Sequence, residues 1–177
     1  MVDSGLALRY LFDLDGVIVD SMPVHKAVWV EYLNRHGIDT SDLDRRMHGR
    51  RNDELVRDLF GADLDEEAVF GHGAAKEALF RERLAEGVNE ALVPGVAEFL
   101  ERAAGVRKAV GSNAEMANVE FVLERSGLRR HFEALVDGHQ VERPKPHPDM
   151  YLRAAERLGA GPGECIVFED SPTGIAA

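Results

Sequence analysis

Two acidic residues follow the first apolar segment of the chain, separated by a single leucine. Asp13 and Asp15 stand directly after the segment from Leu8 to Phe12, in the stretch LRYLFDLDGVIVDS. Removing a carboxylate from water costs free energy. Two acids at the end of a buried strand are therefore expected to lie in an exposed turn, to bind a cation or to take part in a reaction. One carboxylate can attack an electrophile while a second one nearby donates and accepts a proton. A plain turn is the alternative, because Asp-Gly pairs often form turns.

Later segments add polar groups of the kinds that bind metal and phosphate. Ser112 and Asn113 follow an apolar segment, Lys145 lies between two prolines, and Glu169 and Asp170 follow the segment CIVF. Oxygen ligands without histidine or cysteine beside them favour a hard cation, Mg²⁺ above all. A lysine with hydroxyl and amide donors suits a phosphoryl group that is also bound to magnesium. An exposed loop lysine and a simple strand end are the structural alternatives for Lys145 and Ser112.

The segments between these groups predict the elements that must position them. After Pro94, short apolar segments alternate with segments of helical periodicity, which is typical of a parallel sheet with right-handed crossovers. The carboxyl ends of parallel strands share one edge of the sheet, where ligands bind. We therefore expect the acids and Lys145 to converge there, if the first and last strands are neighbours. The predicted strands are LALRYLF, VRKAVGS, EALVDG and ECIVFED.

A helical block separates the first predicted strand from the others. From His25 to about Glu86 the apolar spacing is helical and contains no convincing strand. The predicted fold is α/β, a Rossmann-like parallel sheet core with an inserted small helical cap domain. Residues 1–18 and 88–177 would form the core, and residues 19–87 the cap.

The polar segments also match a known family. FDLDGVIVDS, GSN, the lysine of RPKPHPD and FEDSPTGI resemble the four sequential motifs of the haloacid dehalogenase-like phosphotransferases. The resemblance is greatest to the branch with a small helical cap between the first and second motifs, which contains the β-phosphoglucomutase-like phosphatases and mutases. It extends from about Leu8 to the last residue. Each motif alone is weak, but four in order at compatible spacing are specific.

This resemblance implies a division of roles in phosphoryl transfer. Asp13 would be the nucleophile that forms an aspartyl-phosphate, and Asp15 the general acid and base. Ser112 and Lys145 would hold the transferring phosphate, with Asn113 beside them. The dehalogenases that name the family resemble it without the second acid of the pair. The presence of Asp15 therefore favours phosphoryl transfer over hydrolysis of a carbon–halogen bond.

The same resemblance implies a Mg²⁺ site. Its ligands would be the Asp13 carboxylate, the backbone carbonyl of Asp15, and the acidic pair, with Asp170 first and Glu169 next. The pair has a second, structural interpretation, because Ser171 and the proline after it are typical of a helix start. Both roles can share one loop.

The predicted cap carries candidate substrate-binding residues with plain alternatives. His25 matches a histidine at the start of the cap in this branch, although a histidine on a helix surface is the competing interpretation. Arg50 and Arg51 fall where the family places a loop that reads the end of the substrate that is not transferred, and a solvated charged loop explains them equally. Lys76 lies near a cap lysine of the mutases but could be an exposed helix residue. Asn52 stands near the place of the mutases' cap arginine, which argues against a strict mutase assignment.

The amino-acid composition excludes several classes of binding partner for this protein. The 177 residues carry 21 basic and 32 acidic side chains, a net charge of −11, which argues against nucleic acid or an anionic membrane as a partner. The single cysteine, Cys165, excludes an internal disulfide and is predicted to be a small buried apolar residue. Without a long apolar stretch or a basic leader, we expect a cytoplasmic protein, monomeric or weakly homodimeric.

The sequence ends at GIAA, just inside the helix that Ser171 should begin. Related proteins usually continue with another strand and helix, so we expect the C-terminal part of the core to be truncated. The predicted function is a Mg²⁺-dependent phosphatase that hydrolyses a small phosphorylated metabolite, such as a sugar phosphate. The first alternative is a β-phosphoglucomutase, and the second is a non-catalytic domain that binds phosphate or a partner.

Overall fold

The computed structural model describes residues 8–47 and 52–177. The chain divides into two compact units, one formed by Met1–Ser21 with Val88–Ala177 and the other by Met22–Gly87. In the described residues, the strands are β1 (Arg9–Phe12), β2 (Lys108–Ser112), β3 (Ala134–Asp137) and β4 (Cys165–Phe168). The helices there are α1 (Met22–Arg35), α2 (Leu43–Met47), α3 (Asn52–Phe60), α4 (Glu66–Leu84), α5 (Val96–Arg102), α6 (Met116–Arg125), α7 (Asp149–Arg157) and α8 (Pro172–Ala176).

The first unit is built on a parallel sheet with the strand order β3-β2-β1-β4. Its central strand, β1, pairs in parallel with both β2 and β4. Phe12 is aligned with Val110 on one side and with Phe168 on the other. The predicted α/β fold with a parallel sheet is confirmed, and the first and fourth strands are neighbours.

The middle of this sheet is buried because helices cover it and strands flank it. All five residues of β2 are buried, including Lys108. The Lys108 ammonium group donates to the backbone carbonyls of Ala103 and Val106, which follow the C-terminal end of α5. A charged side chain is tolerated in this strand because the two carbonyls satisfy hydrogen bonds of the ammonium group.

The strand β4 differs from the prediction in its exposure. Cys165 is only partly buried, and Ile166 and Val167 are each about 40% exposed. Among the described strands β4 is at the end of the order and pairs only with β1. Ile166 and Val167 point to opposite faces of the sheet, and the described residues cover neither side chain fully. The prediction of a buried cysteine is therefore wrong.

The second unit is helical in its described residues, 22–47 and 52–87. The helix α1 buries Val28, Trp29, Tyr32 and Leu33, which recur at the spacing of one helical face. The longest helix, α4, is capped by Asp65, whose side chain accepts from the Ala68 amide at 2.7 Å. Two details differ from the sequence prediction: α1 begins at Met22 rather than at His25, and the short helix α2 was not predicted. None of the described helices combines the length and apolar character needed to cross a bilayer.

Candidate active site

The loop after β1 continues the pairing of the central strand into the predicted catalytic residues. The Asp13 amide donates to the Phe168 carbonyl at 3.0 Å, so the ladder between β1 and β4 extends to Asp13. The chain then turns at Gly16, whose φ is +79° and whose amide donates to the Val19 carbonyl at 2.8 Å. A Cβ atom at Gly16 would overlap the Asp170 carboxylate. Glycine is thus required here by the backbone conformation and by the close approach of an acid.

The ends of β1 and β4 bring three acids together. One carboxylate oxygen from each of Asp13, Glu169 and Asp170 lies within 4.8 Å of the others. Asp13 is buried, whereas Asp170 is exposed and forms no side-chain hydrogen bond with the described residues. Like charges this close repel each other unless a cation lies between them. A donor set made only of carboxylate oxygens suits a hard divalent cation.

Lys145 connects the predicted nucleophile to the acidic pair. Its Nζ donates to Asp13 Oδ1 at 2.6 Å and to Glu169 Oε2 at 2.8 Å, and all three side chains are at least nine-tenths buried. One ammonium group therefore offsets part of the negative charge of two carboxylates. The direct contact gives Lys145 the geometry to stabilise negative charge beside Asp13.

The backbone of Lys145 is held by the side chain of Asn113. Asn113 Oδ1 accepts from the Lys145 amide at 3.2 Å, and Asn113 Nδ2 donates to the Lys145 carbonyl at 3.5 Å. Both ends of the Asn113 amide group thus face the loop rather than open solvent. The peptide bond between Lys145 and Pro146 is cis. Asn113 lies beside the phosphate-binding candidates, and its role toward a substrate stays a prediction.

Both carboxylate oxygens of Glu169 are engaged. Oε1 accepts from the Ser171 amide at 3.1 Å and from the Ser171 hydroxyl at 2.6 Å, and Oε2 accepts from Lys145 and from the Tyr151 hydroxyl. Burial acts to raise the pKa of Glu169, but the hydrogen bonds from Lys145, Ser171 and Tyr151 outweigh it and lower that pKa. Ser171 also accepts from the Gly174 amide at 3.0 Å, which confirms its predicted role as the cap of α8.

The electrostatics of Asp13 are dominated by its burial. Desolvation raises the pKa of the Asp13 carboxyl group from 3.8 to about 7, and the negative charges of Asp15 and Glu169 act in the same direction. Lys145 acts in the opposite direction. Near neutral pH, Asp13 therefore needs further positive charge to be fully ionised. A cation bound between the acids would supply that charge.

A serine that the sequence analysis did not identify is bonded to Asp15. The Ser21 hydroxyl is completely buried and donates to Asp15 Oδ1. The intervening turn is closed by a backbone bridge between Asp15 and Val19, which brings Ser21 back toward the acid. Asp20, between them, has an exposed side chain, and its amide donates to the Ala91 carbonyl at 2.8 Å. The only signal in the sequence was the position of Ser21 within the first motif.

Ser112 lies at the carboxyl end of β2, next to the loop that carries Asp13. It is buried, and its Oγ accepts from the Ala114 amide at 3.1 Å. In the sheet it is aligned with Asp137, whose carboxylate accepts from the Met116 amide at 3.0 Å. The hydroxyl of Ser112 is thus at the same edge of the sheet as the acids and Lys145.

The cap candidates that the structure describes belong to the other compact unit. Lys76 Nζ lies 2.7 Å from His25 Nδ1 and 2.8 Å from Glu77 Oε1, and Glu77 also accepts from Asn52. The Lys76 side chain is about 1% exposed, so the alternative of an exposed helix lysine is wrong. Within its own unit, the lysine is part of a buried polar cluster.

His25 is held as a neutral base in this cluster. Its ring stacks on Phe80 with a centroid distance of 3.9 Å. Burial, followed by the positive charge of Lys76, lowers the pKa of His25 from 6.5 to about 3. The alternative of a plain surface histidine is therefore wrong as well. Arg50 and Arg51 lie outside the described residues.

The chain belongs to the haloacid dehalogenase-like hydrolases, since a sequence model of that family matches residues 9–177. The predicted family is thereby confirmed. Fructose-1-phosphate phosphatase YqaB from Escherichia coli (strain K12) is 35% identical over 173 residues, with 94% of this chain and 88% of the relative covered. Hexitol phosphatase A from the same organism is 32% identical over 170 residues, with 94% and 76% covered.

A solved structure agrees with the sequence relatives. The crystal structure of β-phosphoglucomutase from Clostridium difficile superposes with a TM-score of 0.81 and 26% sequence identity. The superposition covers 95% of this chain and 80% of that chain. The relatives thus include both phosphatases and a mutase.

Proposed function

We propose that this chain is a Mg²⁺-dependent phosphatase that hydrolyses a small phosphorylated metabolite, most simply a sugar phosphate, through an aspartyl-phosphate. The observation that carries the proposal is the 2.6 Å contact between Lys145 Nζ and Asp13 Oδ1 inside a cluster of acids. This contact supports the proposal because it sets a positive charge beside the carboxylate that would attack phosphorus. The phosphatases among the relatives support the reaction class.

In the first step, a carboxylate oxygen of Asp13 bonds to phosphorus while the bond from phosphorus to the leaving oxygen breaks. Asp15 gives its proton to that oxygen, and the alcohol leaves. In the second step, the oxygen of a water molecule bonds to phosphorus, the bond between phosphorus and the Asp13 oxygen breaks, and the water proton passes to Asp15. Inorganic phosphate leaves and the Asp13 carboxylate is restored. Lys145 and Ser112 would hold the phosphoryl oxygens. The bond from Ser21 would fix the direction from which Asp15 acts.

Magnesium would be held by Asp13, Glu169 and Asp170, with the Asp15 carbonyl as a further predicted ligand. When bound, it supplies positive charge that favours the ionised form of Asp13 and offsets charge on the phosphoryl oxygens. The oxygen atoms within 4.8 Å of one another support this assignment.

We further propose that the unit Met22–Gly87, which nearly coincides with the predicted cap of residues 19–87, selects the substrate. His25, Arg50, Arg51 and Lys76 stay proposed substrate contacts there. The cytoplasmic location and the monomeric or weakly dimeric state inferred from composition stay predictions.

The likeness to a solved β-phosphoglucomutase favours one alternative function. A mutase would share the first step but return the phosphoryl group to a sugar hydroxyl instead of to water. The two reactions differ in the acceptor, so their products separate them.

The test is to incubate the protein and Mg²⁺ with a panel of sugar phosphates while measuring free phosphate and isomerised sugar phosphate. We expect phosphate release that is abolished by chelating Mg²⁺ and by Asp13→Asn. The matched control is Asp20→Asn, which removes an exposed acid from the same segment and should keep activity. Glucose 6-phosphate formed from β-glucose 1-phosphate without phosphate release would establish the mutase. No turnover by the intact protein would support the non-catalytic alternative.

A further inference from the structure

Tyr151 contacts both the acidic pair and the lysine of the candidate site. It lies in the first turn of α7 and is buried. Its hydroxyl donates to Glu169 Oε2, and the Lys145 Nζ lies 4.6 Å from the centre of its ring. The hydroxyl thus binds an anion while the ring face attracts the cation that is paired with that anion.

The surrounding residues hold the Tyr151 ring closely. A Cβ atom at Gly111, on β2, would lie 3.5 Å from two ring carbons of Tyr151 and 3.1 Å from Met150. The contact with the ring would be ordinary van der Waals contact, so the Tyr151 ring packs directly against the middle of the sheet. A ring packed this way holds its hydroxyl in one place.

The Lys145 ammonium group contacts two carboxylates, those of Asp13 and Glu169. It lies 2.6 Å from Asp13 and 2.8 Å from Glu169, and Glu169 Oε2 is the oxygen that also accepts from Tyr151. A second donor on that oxygen satisfies part of its charge, which weakens its attraction for the ammonium group. The Tyr151 hydroxyl therefore acts on Glu169, whereas its ring face acts on Lys145.

We propose that Tyr151 is a positioning residue that orients Glu169 through its hydroxyl and Lys145 through its ring. The inference builds on the proposed function, because Glu169 is one of the groups assigned to Mg²⁺ and Lys145 one of those assigned to phosphate. The hydroxyl and the ring act on different partners. They can therefore be separated by substitution.

Tyr151→Phe removes only the hydroxyl and keeps the ring under Lys145. We expect its dissociation constant for Mg²⁺, measured by calorimetry without substrate, to rise about tenfold, as for other residues that orient a metal ligand. Its KM for a turned-over sugar phosphate should stay close to the wild-type value. Tyr151→Leu removes the ring too, and we expect it to raise the KM in addition.

The matched control is Tyr32→Phe, which removes a hydroxyl bonded to His72 at 2.9 Å in the other unit. This control should bind Mg²⁺ like the wild type. The second measurement is a double-mutant cycle with Glu169→Gln. If Tyr151 acts through Glu169, Tyr151→Phe should not weaken Mg²⁺ binding further in that background.

The outcomes separate this inference from the proposed function. If the wild type binds Mg²⁺ and Tyr151→Phe binds it with a dissociation constant within twofold, the positioning role is overturned and the proposed function stands. Additive effects in the cycle with Glu169→Gln also overturn it. If the wild type does not bind Mg²⁺, the proposed function fails and this inference fails with it. Circular dichroism of each variant checks that the fold is kept, and Tyr151→Phe is small enough a change to keep it.

Discussion

Phe12 and Phe168 are paired across β1 and β4, and their rings stack with a centroid distance of 4.5 Å and an interplanar angle of 9°. Each is the last residue of its strand and is followed directly by an acid of the candidate site. The stacked rings therefore fix the relative height of Asp13 and Glu169 at the edge of the sheet. The spacing of the two acids that Lys145 joins is a consequence of strand register.

Gly16→Ala should weaken both the fold and metal binding. The positive φ alone makes a side chain at this position unfavourable by about 1–2 kcal/mol. The added Cβ would also displace the Asp170 carboxylate, so we expect weaker Mg²⁺ binding by calorimetry. The control is Gly37→Ala, with φ of +68° and no described atom within 4 Å of the added Cβ. It should lose stability without losing Mg²⁺ affinity, and an equal loss in both variants would contradict the role given to Gly16.

Ser21→Ala should lower turnover more than substrate binding. The hydroxyl is a hydrogen-bond donor to Asp15, and a hydrogen bond to a neutral group is worth about 0.5–1.5 kcal/mol, or about two- to tenfold in rate. We expect kcat to fall while KM changes little, because Ser21 contacts the proposed acid and base rather than the phosphate site. Ser126→Ala, which removes a 2.7 Å bond to the Val122 carbonyl, is the control. A kcat equal to that of this control would show that Ser21 does not orient Asp15.

Lys76→Met should destabilise the helical unit by about 3–5 kcal/mol, because it leaves the Glu77 carboxylate buried without its ammonium partner. Urea unfolding measures the change. The double variant Lys76→Met with Glu77→Leu should recover much of the loss, since an apolar pair can replace a buried ion pair. Arg130→Met breaks an exposed pair with Glu101 and should change stability by less than about 1 kcal/mol. Equal effects of the buried and exposed substitutions would rule out this account.

The stability of the protein should fall with acid in a way that depends on His25. Its pKa is lowered to about 3 in the folded chain, whereas the unfolded chain binds a proton near pH 6.5. The unfolded state therefore gains protons first, and the stability present above pH 6.5 is lost as the pH falls toward 3. Between pH 7 and 5 the wild type should lose up to about 2 kcal/mol more than His25→Gln. Unfolding free energies at both values test this, and parallel losses would count against it.

Much of the core could be predicted because its signals are local. The alternation of apolar strands with helical segments predicted a parallel sheet, and the positions of the polar groups predicted that they would share one edge. The pairing of β1 with β4 was assumed rather than predicted, because strand order depends on how the crossover connections pack. The short helix Leu43–Met47 offered too few residues for a periodic signal.

The contacts that tune the site could not be predicted, because they join residues distant in sequence. The bonds from Tyr151 to Glu169 and from Asn113 to Lys145 depend on packing between elements. Tyr151 had no signal in the sequence, and Asn113 was predicted beside the phosphate rather than against the Lys145 backbone. The burial of Lys76 was hidden for the same reason. A buried helix face that contains a lysine and a glutamate paired with each other has the same sequence pattern as an exposed charged face.

The contact between Lys145 and Asp13 spans 132 residues of sequence. The strand that precedes Asp13, β1, is made earlier than β2 and β4, the two strands that flank it in the sheet. The interior strand β1 must therefore wait for its neighbours before it can pair, and contacts between residues so far apart in sequence form slowly. During synthesis Asp13, the proposed nucleophile, is made long before the residues that surround it. We therefore expect the candidate site to be complete only once β4 and the acids that follow it have paired with β1.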